Sequence, residues 1–208
     1  MGTPGFDNDS GFGLIQADPA LRAVATETVL DFDGDGVSDI GIYRNGTWLI
    51  VRSLDGSITN KIWGGPSWIP VPADYDGDGI TDIAVYNPNG LWSIVRSSDG
   101  GNTLIGWSGA PGDIPVPADY DGDGKTDLAV YNPSTAVWSI IRSSDGALMN
   151  KVWGGPSWQP VVADYDGDGK ADIAVYNANN GLWSIVRSSD GGNTLIGWGG
   201  GAQDVPLN

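Results

Sequence analysis

Neither cysteine nor histidine occurs in this 208-residue chain. Without thiols there is no disulfide and no thiolate–metal site. Without imidazole there is no Ser-His-Asp triad, no Cys-His pair and no zinc–histidine site, so no catalytic machinery is expected in this chain. Missing cysteine does not place the protein inside the cell, because a bound metal can supply the staple instead. Glutamate is nearly absent too: one Glu stands against 25 Asp. Cations are few, and the formal charge is −16. Nucleic acid and anionic membrane surfaces are poor partners for such a field. No apolar run approaches the length of a membrane span, so no membrane insertion is expected. The opening Met1-Gly2-Thr3-Pro4-Gly5 lacks the basic and apolar regions of a signal peptide. If the natural protein is secreted, its signal is expected upstream.

What is abundant is glycine (33), proline (13) and tryptophan (10), within a chain that is 40% hydrophobic. That mixture suits many short strands joined by tight turns. Self-similarity is the dominant signal. Asp31-Phe32-Asp33-Gly34-Asp35-Gly36 recurs from Asp74, Asp119 and Asp164, at spacings of 43, 45 and 45 residues. Each copy is followed by an apolar run such as Ile83-Ala84-Val85-Tyr86, then by a run bearing Trp48, Trp92, Trp138 or Trp183. An Asp-Gly turn comes next, and then a run ending in Trp63, Trp107, Trp153 or Trp198. The segment Ile69-Pro70-Val71-Pro72-Ala73 and its equivalents lead into the next acidic loop.

These signals predict an all-β chain with four four-stranded units, the period of a propeller blade. Blades are expected to start near residues 29, 72, 117 and 162, giving a repeat domain over 29–208 after a lead-in of 1–28. A longer period is superimposed: the loop at Asp164 lies 90 residues after that at Asp74, as in a duplicated two-blade unit. Near the end, Asp204-Val205-Pro206-Leu207 matches Asp113-Ile114-Pro115-Val116, a spare strand able to complete or open another blade. In the lead-in, Asp18-Pro19 before Ala20-Leu21-Arg22 predicts a short helix with an Asp cap.

The acidic loops read D-x-D-G-D-G-x-x-D. Calcium takes roughly 6–8 oxygens. Carboxylates at positions 1, 3, 5 and 9 and the carbonyl at position 7 can supply them. The expected ligands are Asp31, Asp33, Asp35, Val37 and Asp39; Asp74, Asp76, Asp78, Ile80 and Asp82; Asp119, Asp121, Asp123, Lys125 and Asp127; and Asp164, Asp166, Asp168, Lys170 and Asp172. That makes four Ca2+ per chain. An EF-hand is excluded, because position 12 is Ile42, Val85, Val130 or Val175 rather than Glu. Four ions would add +8 and bring the formal charge from −16 to −8. Carboxylates about 4–5 Å apart repel by roughly 3–4 kcal/mol per pair at an effective dielectric near 20. An ion is therefore expected to stabilise the hairpin.

Three other features have a structural and a functional reading. Arg52, Arg96, Arg142 and Arg187 each stand three residues before an Asp of the turn, which favours a turn contact over a ligand-binding ring. Trp68 and Trp158 occur only in alternate Gly-Gly-Pro-Ser-Trp loops. They are the candidate ligand contacts, able to stack on sugar rings or on a protein, against the alternative of simple loop packing. Asn45-Gly46-Thr47 fits a glycosylation pattern but sits at an apparent hairpin turn.

The acidic loops followed by hydrophobic strands resemble the FG-GAP/VCBS repeats, also seen in integrin α chains, over residues 29–208. Ile105-Gly106-Trp107-Ser108-Gly109-Ala110-Pro111 is similar to the sequence that names them. The resemblance implies a β-propeller with calcium between the first and second strands of each blade, usually extracellular and engaged in adhesion or ligand binding. Such propellers commonly have seven blades. Closure of four, pairing of two chains into a homodimer, or an open array are all compatible with the repeats. The segment Phe6–Asp18, within residues 1–25, resembles the final stretch of a subtilisin-like serine peptidase domain. It implies a secreted bacterial parent peptidase, with this chain as a non-catalytic appendage. Two alternatives are serine endopeptidase activity inherited from that parent, and a lectin in which calcium or tryptophan binds glycan.

Overall fold

The computed structural model describes residues 30–201 and 204–206. Four antiparallel sheets follow one another along the chain. The first contains β1 (Ile40–Arg44), β2 (Thr47–Val51) and β3 (Ile58–Ile62). The second contains β4 (Ile69–Pro70), β5 (Ile83–Asn87), β6 (Leu91–Val95) and β7 (Asn102–Gly106). The third contains β8 (Ile114–Pro115), β9 (Leu128–Asn132), β10 (Val137–Ile141) and β11 (Leu148–Val152). The fourth contains β12 (Gln159–Pro160), β13 (Ile173–Asn177), β14 (Leu182–Val186) and β15 (Asn193–Gly197). The protein is thus an all-β, four-blade β-propeller array, with no helix among the described residues. The helix expected after Asp18 lies outside those residues. Sheets two to four open at Ile69, Ile114 and Gln159, slightly ahead of the expected starts.

Local chemistry explains the hairpins. Asn45 and Gly46 both take positive φ (49° and 91°) between β1 and β2, the twist a two-residue hairpin needs. The two-residue strands β4, β8 and β12 lie at sheet edges and carry proline, which has no N–H to donate and so blunts an edge against further pairing.

Sheets stack face to face in chain order. Trp48 and Ile50 of the first pack on Val85 of the second. Tyr86, Trp92 and Ile94 pack on Leu128 and Val130 of the third. Tyr131, Trp138 and Ile140 pack on Ile173 and Val175 of the fourth. This is why β9 is buried along its whole length although alternate residues point to opposite faces. In β13, Ile173 and Val175 face the third sheet, while Ala174 and Tyr176 are buried with Val161 and Ile185 of their own blade. Within each blade a Tyr–Trp pair stacks at a tilt, with centroids 4.8–5.1 Å apart. Trp63 and Trp153 also reach across, donating their indole N–H to the Ser93 and Ser184 carbonyls of the next blade.

Trp138 is fully buried and donates its indole N–H to the Trp153 carbonyl. Trp138→Ala should lower stability in urea titration by about 3–5 kcal/mol, the usual cost of emptying an aromatic core site. Trp183→Ala, at the less covered face of the last blade, should cost clearly less.

Candidate metal centre

The second, third and fourth acidic loops each join a proline-bearing edge strand to the next long strand, and the first leads directly into β1. Its fold follows from the first Asp. The two oxygens of Asp74 accept the N–H groups of Gly77 (2.6 Å) and Gly79 (2.8 Å). Asp31, Asp119 and Asp164 do the same with the glycines of their own loops. Both glycines take φ near +80°, which turns their N–H groups inward, a conformation other residues adopt at a cost. The fifth-position Asp35, Asp78, Asp123 and Asp168 accept the N–H of Val37, Ile80, Lys125 and Lys170.

The ninth-position Asp closes the loop from below. Asp82 is fully buried; one oxygen accepts the Tyr75 N–H and the other the Ser97 N–H. Asp39, Asp127 and Asp172 repeat this clamp with Phe32 and Ser53, Tyr120 and Ser143, and Tyr165 and Ser188. Burial raises the carboxyl pKa of Asp82, Asp127 and Asp172, with the neighbouring Asp76, Asp121 and Asp166 adding to the effect. Desolvation and like charge thus both disfavour the ionised form in the metal-free loop, and a cation beside these groups would oppose both.

Carboxylate oxygens converge in every loop. Those of Asp31, Asp33 and Asp39, of Asp74, Asp76 and Asp78, of Asp119, Asp121 and Asp127, and of Asp164, Asp166 and Asp172 lie within 4.8 Å of one another. Two oxygens on one calcium, each about 2.3–2.6 Å away, can be at most about twice that distance apart, so these spacings fit one ion per loop. Asp166 Oδ1 is buried with no hydrogen-bond donor, an unbalanced oxygen of the kind a cation would satisfy. An all-oxygen donor set suits a hard cation rather than zinc. The Val37 and Ile80 carbonyls lie 3.4 and 3.5 Å from the hydroxyls of Ser53 and Ser97, which themselves bond Asp35 and Asp78. These two seventh-position carbonyls therefore share a serine hydroxyl with the fifth-position carboxylates.

Sequence reasoning missed the serines. Ser53, Ser97, Ser143 and Ser188 donate hydroxyls to Asp35, Asp78, Asp123 and Asp168. Ser98, Ser144 and Ser189 donate theirs to Asp76, Asp121 and Asp166 at 2.6 Å. The signal was the recurring Arg-Ser-Ser-Asp-Gly at 96–100, 142–146 and 187–191, which reads as a turn until the fold docks it on the acidic loop. Within that turn Arg96, Arg142 and Arg187 pair with Asp99, Asp145 and Asp190, while Arg52 bonds the Thr59 hydroxyl instead. These half-exposed pairs are turn contacts and contribute little to stability. Trp68 and Trp158 are only partly buried but pack against the interblade cores, as loop packing requires. Trp158 also borders a shallow groove with Val152 and Trp153.

The loops are stitched in series. The Thr81, Thr126 and Ala171 N–H groups bond the Asp31, Asp74 and Asp119 carbonyls of the preceding loop at 2.6–2.7 Å. The Ile80, Lys125 and Lys170 side chains lie over Gly34, Gly77 and Gly122, where a Cβ would come within 2.9 Å or less. Shaping one loop therefore shapes the seat of the next.

Asp82→Asn would leave one of two buried N–H groups facing another donor. It should cost about 1–3 kcal/mol even in chelator. Asp76→Asn should leave chelator-state stability nearly unchanged and lose its own loop's share of the gain on adding calcium, roughly 1.4 kcal/mol of about 6 at ten times the dissociation constant. Chemical denaturation of both variants, with and without calcium, separates the two roles.

Comparison with protein families matches the FG-GAP-like repeat to residues 74–130 and 119–175, each span running from one acidic loop into the long strand after the next. The FG-GAP repeat matches residues 157–194. Comparison with curated proteins found no match. The chain is thus an FG-GAP repeat protein, its repeats recognised across residues 74–194.

Proposed function

We propose that this chain is a calcium-stabilised, non-catalytic β-propeller module that serves binding or adhesion outside the cell. The observation that carries the reading is the fourfold convergence of carboxylate oxygens within 4.8 Å, with Asp166 Oδ1 buried and without a donor. FG-GAP repeats over residues 74–194 support a binding domain. In each loop the first, third, fifth and ninth Asp and the seventh carbonyl would hold the ion, so that Val37, Ile80, Lys125 and Lys170 contribute backbone only. The bound ion would neutralise the carboxylates and lock the hairpin, which then presents a fixed surface. The resemblance of the first 25 residues to the end of a subtilisin-like domain supports a secreted peptidase as the parent, with this module as its appendage.

Extracellular modules of this type bind calcium at about 0.1–1 mM. Calcium at ten times its dissociation constant stabilises by roughly 1.4 kcal/mol per site, or about 6 kcal/mol over four sites. Isothermal titration should find four calcium ions per chain, and a chelator should lower the melting temperature markedly. An unchanged melting temperature, together with no heat of binding, would refute the proposal.

A further inference from the structure

The two ends of the array carry the two halves of one contact. At each of the three internal junctions the leading face of a blade is covered by the blade before it. Val85, Val130 and Val175 are 0%, 3% and 0% exposed there. Their counterpart in the first blade, Ile42, is 52% exposed, and Ile40 beside it is 72% exposed. At the trailing side, Trp63, Trp107 and Trp153 are partly buried against the following blade. Their counterpart Trp198 is 78% exposed. The first blade therefore displays an apolar leading face, and the last displays the aromatic edge that covers such faces elsewhere.

The polar contacts of the junction end in the same complementary way. Among the described residues, the loop-to-loop N–H···O=C series stops at both ends. By register, Ser38 holds the next donor position and the Asp164 carbonyl the next acceptor position. The side chain that covers the fourth-position glycine is present as Val37, 51% exposed, while Gly167 faces open space. Before β8, Asp113 receives the Ser108 hydroxyl and the Gly109 and Ala110 N–H groups, and Ile114–Pro115 then pairs with β9 of the next blade. Asp204 is held alike, by the Tyr176 hydroxyl and the Gly200 and Gly201 N–H groups. The Val205–Pro206 that it presents pairs with no described strand, and Val205 is 77% exposed.

From these matching halves we propose that a second copy of this chain docks head to tail, its first blade against the fourth blade of its neighbour. Among the described residues the chain does not make the contact itself, since Ile40, Trp198 and Val205 are all exposed. The contact is heterologous, and such contacts close into rings when the rotation allows. Two copies of the four described blades make eight, the upper end of the common propeller range of about 4–8, whereas three would exceed it. Strand addition by Val205–Pro206 at the β1 edge would supply backbone pairing, as edge strands do for extended segments generally.

Light scattering on the 208-residue chain in calcium should give twice the mass of one chain. Ile42→Asp, at the head, and Trp198→Asp, at the tail, should each give monomers that keep the wild-type circular dichroism, because both side chains are exposed in one copy. Should Trp198→Asp misfold, Val205→Asp tests the same end. Mixing a head variant with a tail variant should restore a dimer, since one intact head then meets one intact tail. A monomeric wild type, dimers that survive both substitutions, or a mixture that stays monomeric would each overturn the proposal.

Discussion

Four carboxylates within nine residues repel one another, and everything distinctive in this fold depends on holding them together. The chain does so by turning its own N–H groups inward. Two left-handed glycines deliver their N–H groups to the first Asp, and the N–H groups after the loop's first residue and in the Ser turn go to the ninth. Backbone donors offset part of the repulsion but carry no net charge. The remainder is what a divalent cation is suited to supply.

The same loops set the order of the blades. Because each loop bonds the carbonyl of the preceding one and lays a side chain across its glycine, blade stacking is coupled to loop geometry. Lys125 and Lys170 illustrate this: their stems pack on Gly77 and Gly122 while their N–H groups serve Asp123 and Asp168. Stability in such an array is a sum of blade and junction contributions. A cation that orders a loop would therefore also strengthen a junction.

Tryptophan has the complementary task of filling the gaps between sheets. Trp92 and Trp138 sit where two sheets face each other, and both are fully buried. Trp183 has the same place in the repeat and is less covered, because no fifth sheet lies beyond it among the described residues. Identical sequence positions thus differ in burial solely through their place in the stack.

The repeat period, the long strands, the hairpin turns and the convergence of three carboxylates in each loop were legible in the sequence, because each rests on local chemistry: alternating apolar residues, Asn-Gly and Asp-Gly turns, and short acids spaced to curl around one point. The fourth strand expected in the first blade falls outside the described residues. The arginine turn contact was legible for the same reason, since Arg96 and Asp99 are near neighbours in the chain. The serines that brace Asp78 and Asp76 were not, because 19 to 22 residues separate them and only the docked hairpin brings them together. Nor could the sequence decide that Trp68 and Trp158 lean on the interblade cores rather than stand free. Ile42 and Val85 hold equivalent places in equivalent strands, yet one is half exposed and the other sealed. The sequence by itself determined what each blade is. Only the tertiary stack decided which copy of a repeated side chain is covered, because burial depends on the neighbouring sheet.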